Sequence, residues 1–211
     1  MIQSSISRFV ISTQIIITAM LFAFAMSDAQ AHEGHDHHMM QDMATKQPIK
    51  LSTVSYTIPS IQLVRDDEKP IDLAQELDDG RAVVLNFVYT TCTAICPLTS
   101  DTFSKFQTKL GKNLDKVHMV TISIDPEQDT PASLRIYAKK YQAQSQWNFY
   151  TGTVAESIEA QKAFQAYNGD KMNHVPVTYL RASPGKPWLR IDGFASPDEL
   201  LSSYQDLISA K

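Results

Sequence analysis

Apolar and β-branched side chains run almost without a break from Ala82 to Val88, where a half-exposed strand would alternate with polar ones. This pattern predicts a strand buried on both faces at the centre of a sheet. A second such run over 117–124 predicts another buried strand, and the residues between the two predict a helix from about Pro97 to Leu110, ended by Gly111. Upstream, Ile61-Gln62-Leu63-Val64 and Ile71-Asp72-Leu73 flank the polar Asp66-Asp67-Glu68-Lys69-Pro70 and predict a hairpin. Residues 44–60 before it predict an extended linker. Downstream, the loop 125–131 leads into a helix from Pro131 to about Tyr141, with proline in the first turn, where a missing N–H costs nothing. A short apolar strand over 147–150 and a helix over 153–167 come next. Strands over 177–180 and 188–191 are joined through Ser183-Pro184-Gly185-Lys186-Pro187 as a second hairpin. The last helix opens on a Ser196 cap, Pro197 and Glu199. The succession defines an α/β layered domain with a mixed central sheet flanked by helices and no internal repeat.

The first 54 residues follow different rules. Arg8 precedes an apolar stretch over 9–26, and Ala29 and Ala31 form the small-x-small pattern of a signal-peptidase site. Residues 1–31 are therefore expected to be a signal peptide cleaved after Ala31. The alternative is an uncleaved anchor, since the stretch is nearly long enough to span a membrane. Either way the body of the protein is exported, to the periplasm. With no cysteine at the cleavage position, a lipoprotein anchor is not expected there. Four of the six histidines, His32, His35, His37 and His38, fall together and are followed by Met39, Met40 and Met43. This segment has almost no core-forming residues and predicts a disordered tail and linker over 32–54. Imidazole and thioether groups suit copper in both oxidation states. The interrupted histidines just after a signal peptide favour native metal scavenging over a purification tag.

Composition narrows the classes further. The net charge is −4, and removing residues 1–31 leaves it unchanged because Arg8 and Asp28 go together. What remains is one domain with a real core, over 55–211. A slightly acidic chain without basic clusters excludes nucleic acid and anionic membrane surfaces as partners.

Cys92 and Cys96 are the only cysteines, and they follow the central strand directly. A bridge between them closes a tiny loop and adds little stability on the loop-entropy model, so a structural staple is a poor explanation. Two chemistries remain: holding a soft metal ion, or cycling between dithiol and disulfide. Pro97 disfavours α conformation at the preceding residue. Cys96 is therefore expected at the cap of the helix, where unpaired N–H groups and the helix dipole stabilise a thiolate. Cys92 is expected in the preceding turn, free to swing toward it. Outside the tail there are two histidines. His118 lies inside the strand over 117–124 and reads as a satisfied structural residue; His174 lies in a long polar loop before the strand over 177–180, where functional side chains concentrate.

Phe87-Val88-Tyr89-Thr90-Thr91-Cys92 with Cys96-Pro97, then Ser123-Ile124-Asp125-Pro126-Glu127-Gln128-Asp129-Thr130-Pro131, then His174 five residues before Tyr179-Leu180, together resemble the Sco/SenC family. The resemblance covers roughly residues 55–207. It implies a thioredoxin-like fold, an exported copper-binding protein that helps assemble the dinuclear copper centre of respiratory oxidases, and Cys92, Cys96 and His174 as copper ligands. It also implies that Asp125 and Asp129 shape the neighbouring loop, with capping of the helix at Pro131 as the plain alternative. The chain departs from the family pattern at Thr93, at Ala94 and at Val175-Pro176. The last resembles the cis-proline that faces the active-site sulfurs of thioredoxins.

Three functions are consistent with these readings. The first is a metallochaperone that carries copper on Cys92, Cys96 and His174 to a copper-centre subunit of a terminal oxidase or nitrous oxide reductase, supplied by the tail or by another periplasmic copper carrier. The second is a thiol-disulfide oxidoreductase in which Cys92 and Cys96 reduce a client's copper-site cysteines. The third is a copper buffer in which the tail binds and the domain is a scaffold.

Overall fold

A computed structural model describes residues 48–210. The signal-peptide and His/Met segments lie outside the described residues. The elements are β1 (Lys50–Val54), β2 (Gln62–Arg65), β3 (Pro70–Asp72), α1 (Leu73–Leu77), β4 (Ala82–Val88), α2 (Ile95–Leu110), a 3-10 turn (Gly111–Lys116), β5 (Val117–Ser123), α3 (Pro131–Lys140), β6 (Trp147–Thr151), α4 (Val154–Ala163), a second 3-10 turn (Lys171–Asn173), β7 (Val177–Arg181), β8 (Trp188–Asp192) and α5 (Pro197–Ser209).

The strands form a single mixed sheet in the order β1-β8-β7-β4-β5-β6-β2-β3. β4 pairs in parallel with β5 and β5 in parallel with β6, whereas β7 is antiparallel to β4. All seven residues of β4 and all seven of β5 are buried, as expected of central strands covered on both faces. Side chains alternate along β4 into two separate cores. Val84 and Val88 pack with Phe103, Phe106, Trp147, Phe149 and Leu200 on one face. Val83, Leu85 and Phe87 pack with Leu73, Leu77, Tyr150, Phe164 and Tyr179 on the other. The one polar residue of β4, Asn86, accepts a hydrogen bond from the Thr121 hydroxyl at 2.7 Å, which itself accepts from the Trp147 indole N–H at 2.8 Å. A buried amide needs such a partner.

Two elements escape the hydrophobic pattern. Part of the expected linker is strand β1, which pairs antiparallel with β8 from Lys50↔Asp192 to Val54↔Trp188. It is an edge strand with largely exposed side chains, so its order comes from backbone pairing rather than from burial. Helix α1 is a five-residue turn in which the Asp72 side chain accepts the Gln75 N–H and Leu73 and Leu77 are buried. It is too short for a helical period to show. The helix expected over 153–167 stops at Ala163, with Gln165 at φ 54° terminating it. The hairpin β2–β3, the paired β7–β8 and the Ser196–Glu199 capping box are as the sequence predicts. His118 is buried, its Nε2 within 3.1 Å of the Tyr150 hydroxyl and 3.2 Å of the Asn148 amide oxygen, and burial lowers its pKa. It stands opposite Val83, near the start of β4 and so at the other end of that strand from Cys92.

Candidate metal centre

The site forms where β4 ends. Its carboxyl end and that of the parallel β5 open onto the same edge of the sheet, the usual place for function in α/β sheets. The Cys92 N–H donates to the Tyr89 carbonyl at 3.1 Å, which folds the chain into a turn. α2 then begins at Ile95, two residues earlier than Pro97 suggests. Pro97 occupies the third helical position, where its missing N–H is not needed by the helix. Cys96 is consequently inside the first turn rather than at its cap.

This shift exchanges the expected roles of the two sulfurs. The N-cap residue, Ala94, offers no side-chain acceptor. The Cys92 Sγ takes that role by accepting the Cys96 N–H at 3.5 Å. The Cys92 thiol is pulled down to about 5, chiefly by hydrogen bonding from the Cys96 thiol. Burial opposes this, while the N–H groups of Cys96 and Ala94 and the Tyr89 hydroxyl add to it. The Cys96 thiol is pushed far up by the same bond to Cys92 and by burial. At neutral pH the pair is therefore a thiolate on Cys92 that shares the proton of Cys96. Both cysteines are free; Cys92 is 8% exposed and Cys96 fully buried. Cys96 rests on Tyr137, whose hydroxyl donates to the Cys96 carbonyl at 3.4 Å and lies 2.8 Å from the Ser100 hydroxyl.

Two aspartates on the β5–α3 loop hold the neighbouring segments. Asp129 is fully buried and accepts the Thr90 N–H at 3.1 Å, the Thr90 hydroxyl at 2.5 Å and the Ser123 hydroxyl at 2.6 Å. It ties the turn before Cys92 to the end of β5. It does not cap α3; Thr130 does, accepting the Ser133 N–H. Asp125 pairs with Lys171 at 2.6 Å and so fastens the loop that carries His174. Sequence reasoning placed both aspartates at this loop but not their partners, which come from three other segments.

His174 sits on the same edge, half-buried, with Nε2 3.0 Å from the Phe87 carbonyl. A carbonyl only accepts, so Nε2 carries the proton and Nδ1 the lone pair. Burial lowers the His174 pKa, and the Phe87 carbonyl and the nearby Cys92 charge partly offset this. The ring is neutral at pH 7, as a metal ligand must be. The structure brings Cys92 and Cys96 together, with His174 turned to the β4 backbone. Among the described residues no three His, Cys, Asp or Glu side chains converge closely enough to hold a metal ion. Nor is any peptide bond there cis, so Val175-Pro176 does not reproduce the thioredoxin cis-proline.

Tyr89 is the site residue that sequence reasoning passed over. Its hydroxyl donates to the Met172 Sδ at 3.8 Å, and burial, then its interaction with the neighbouring Cys92 sulfur, push its own pKa to about 12. Nothing in strand periodicity signals this, because Tyr89 lies just past the end of β4. Tyr89→Phe removes a hydroxyl that helps to lower the Cys92 thiol, so the Cys92 pKa is expected to rise by up to about one unit. The ultraviolet absorbance of the thiolate, followed across a pH titration, measures it; an unmoved midpoint would remove Tyr89 from the site.

Fold and site together define a thioredoxin-like domain with an activated dithiol where the central strand meets its helix. A family model described as SCO1/SenC matches residues 50–209. The SCO1 protein homolog of Bacillus subtilis (strain 168) is 29% identical over 165 residues, 74% of this chain and 81% of that protein. Arabidopsis thaliana ScoI, solved with copper bound, matches with a TM-score of 0.62 at 25% identity, covering 74% of this chain and 100% of that one. BsSco, a member of the Sco family of cytochrome c oxidase assembly proteins in which a disulfide switch was identified, gives a TM-score of 0.62 at 26% identity, over 76% and 98% of the two chains. The chain belongs to the SCO1/SenC family.

Proposed function

We propose that this protein is an exported copper metallochaperone that delivers copper to the dinuclear copper centre of a respiratory enzyme such as cytochrome c oxidase. The observation that carries this reading is the pair of free cysteines at the start of α2, with the Cys92 sulfur accepting the Cys96 N–H at 3.5 Å and its thiol pulled down to about 5, a soft donor pair. The donor set fits copper. Two sulfurs and a neutral imidazole suit both its oxidation states, and the Nε2–H of His174 is already oriented by a backbone carbonyl, as metal-ligating histidines usually are. Completing the set requires the His174 ring to approach the sulfurs. Copper bound to Arabidopsis ScoI and the assembly role of BsSco support the same cargo and client class.

In this reading residues 1–31 export the chain to the periplasm, residues 32–54 gather copper with their His and Met side chains, and the domain over 55–211 carries it. No helix among the described residues is long and apolar enough to cross a membrane. The client is the copper-centre subunit of a terminal oxidase, or nitrous oxide reductase, and a further periplasmic copper carrier supplies the ion. The test is a copper titration of the reduced protein lacking residues 32–43. The wild-type domain is expected to bind one copper tightly, and Cys92→Ala, Cys96→Ala and His174→Ala each to lose that binding. If His174→Ala retains the wild-type affinity, the ligand assignment fails. Full copper delivery by the same deletion would set aside the tail as the functional binder.

One observation favours a second reading, a thiol-disulfide oxidoreductase acting on client cysteines. A thiolate on Cys92 with a buried partner thiol is the arrangement of a nucleophile and its resolving cysteine. The reduction potential decides: a strongly reducing pair with weak copper binding supports the reductase.

A further inference from the structure

The loop that bears His174 also bears a third sulfur. Met172 is 74% exposed, the most exposed large apolar side chain among the described residues. Its position is nevertheless fixed. The Met172 N–H donates to the Asp170 side chain at 2.8 Å, and the adjacent Lys171 is anchored on Asp125. The Met172 Sδ lies 3.8 Å from the Tyr89 hydroxyl. That hydroxyl also feels the Cys92 sulfur, whose charge helps raise its pKa. The Cys92 N–H in turn donates to the Tyr89 carbonyl at 3.1 Å, so a single residue links the thioether to the turn that carries Cys92. Both cysteines are buried, while Met172 stands in solvent. A thioether is a neutral, soft ligand that selects Cu(I) over harder divalent ions.

We propose that Met172 is a surface ligand for Cu(I) that takes the ion at the solvent boundary and passes it to Cys92. The inference rests on the copper reading of the dithiol. The transfer is a ligand exchange: the bond from Cu(I) to the Met172 sulfur breaks as the bond to the Cys92 sulfur forms, and no electron moves. Met172 faces solvent, so Met172→Leu keeps the size and apolar character of the side chain and removes only the donor.

The test mixes the full reduced chain, without oxygen, with a Cu(I)–bicinchoninate complex and follows the ultraviolet band of thiolate-bound Cu(I). The His/Met segment has no cysteine and contributes nothing to that band. Met172→Leu is expected to slow the appearance of the band by at least about fivefold, while the final affinity stays within about twofold. In a Cys92→Ser/Cys96→Ser protein with isotope-labelled methionine methyl groups, the Met172 signal is expected to shift on adding Cu(I). If Cys92→Ser forms the band as the wild type does, the dithiol reading falls and this inference with it. If Cys92→Ser fails to form it and Met172→Leu matches the wild-type rate, only the role of Met172 is overturned.

Discussion

Asp129→Ala is expected to lower the unfolding free energy by about 3 kcal/mol or more, since it leaves the Thr90 N–H, the Thr90 hydroxyl and the Ser123 hydroxyl without their acceptor. Each such orphaned group in the interior costs roughly 1–3 kcal/mol, and the vacated volume adds to that. Thr90 stands two residues before Cys92, so slackening of this turn is also expected to weaken copper binding. Urea unfolding checks the first effect, as a lower midpoint with an unchanged slope. A change within about 0.5 kcal/mol, the scale of an ordinary surface substitution, would show that the carboxylate does not hold the turn.

The second large effect is the chemical inequality of the two cysteines. Cys92, lowered to about 5, is expected to react with iodoacetamide at a rate that climbs through pH 5 and is level by neutral pH. Cys96, buried and holding its proton, is expected to stay unmodified until the domain unfolds. Mass spectrometry after brief alkylation distinguishes them; preferential labelling of Cys96 would reverse the assignment. The same groups govern stability against pH. An ordinary thiol titrates near 9, so the depressed Cys92 contributes fully above pH 9, progressively less as pH falls, and nothing below about pH 5. Cys96, shifted the other way, contributes fully below the ordinary thiol range and loses that contribution as pH rises above it. The thiol contribution to stability of the reduced domain is expected to peak near pH 9.

The central part of this design was legible in the chain because burial leaves a direct trace. β4 and β5 are buried on both faces, and both read as runs dominated by apolar and β-branched residues. β1 leaves no such trace, because an edge strand is ordered by hydrogen bonds that any backbone can make. The cysteine pair was legible as a reactive dithiol, but the ionised sulfur was assigned to the wrong residue. The preference imposed by Pro97 on Cys96 is a local bias, and first-turn geometry overrode it, moving Cys96 into the helix and leaving Cys92 to cap it. Asp129 was visible as a loop carboxylate, yet its partners Thr90 and Ser123 lie on different segments, a pairing only the sheet creates. Tyr89 and Met172 meet across 83 positions of sequence and could not be joined by spacing at all. His174 was reached through resemblance to a family; the loop polarity around it was suggestive but carried no ligand geometry.

The register of β1 against β8 gives the domain a polarity of attachment. Lys50 stands opposite Asp192, and Asp192 opposite Val177, the residue that follows the His174 loop. The chain thus enters the sheet at the edge that carries the cysteines. Ile208, near the end of α5, instead lines a cavity with Ala82 and Lys116, where β4 and β5 begin. An electrode, bead or fluorophore joined ahead of Pro48 is brought to the sulfur-bearing edge; one joined after Ser209 leaves that edge facing the bath. Immobilised voltammetry of the two orientations would then report on different faces of one molecule, and a coupling chemistry chosen for convenience would decide whether the thiolate is addressed or hidden.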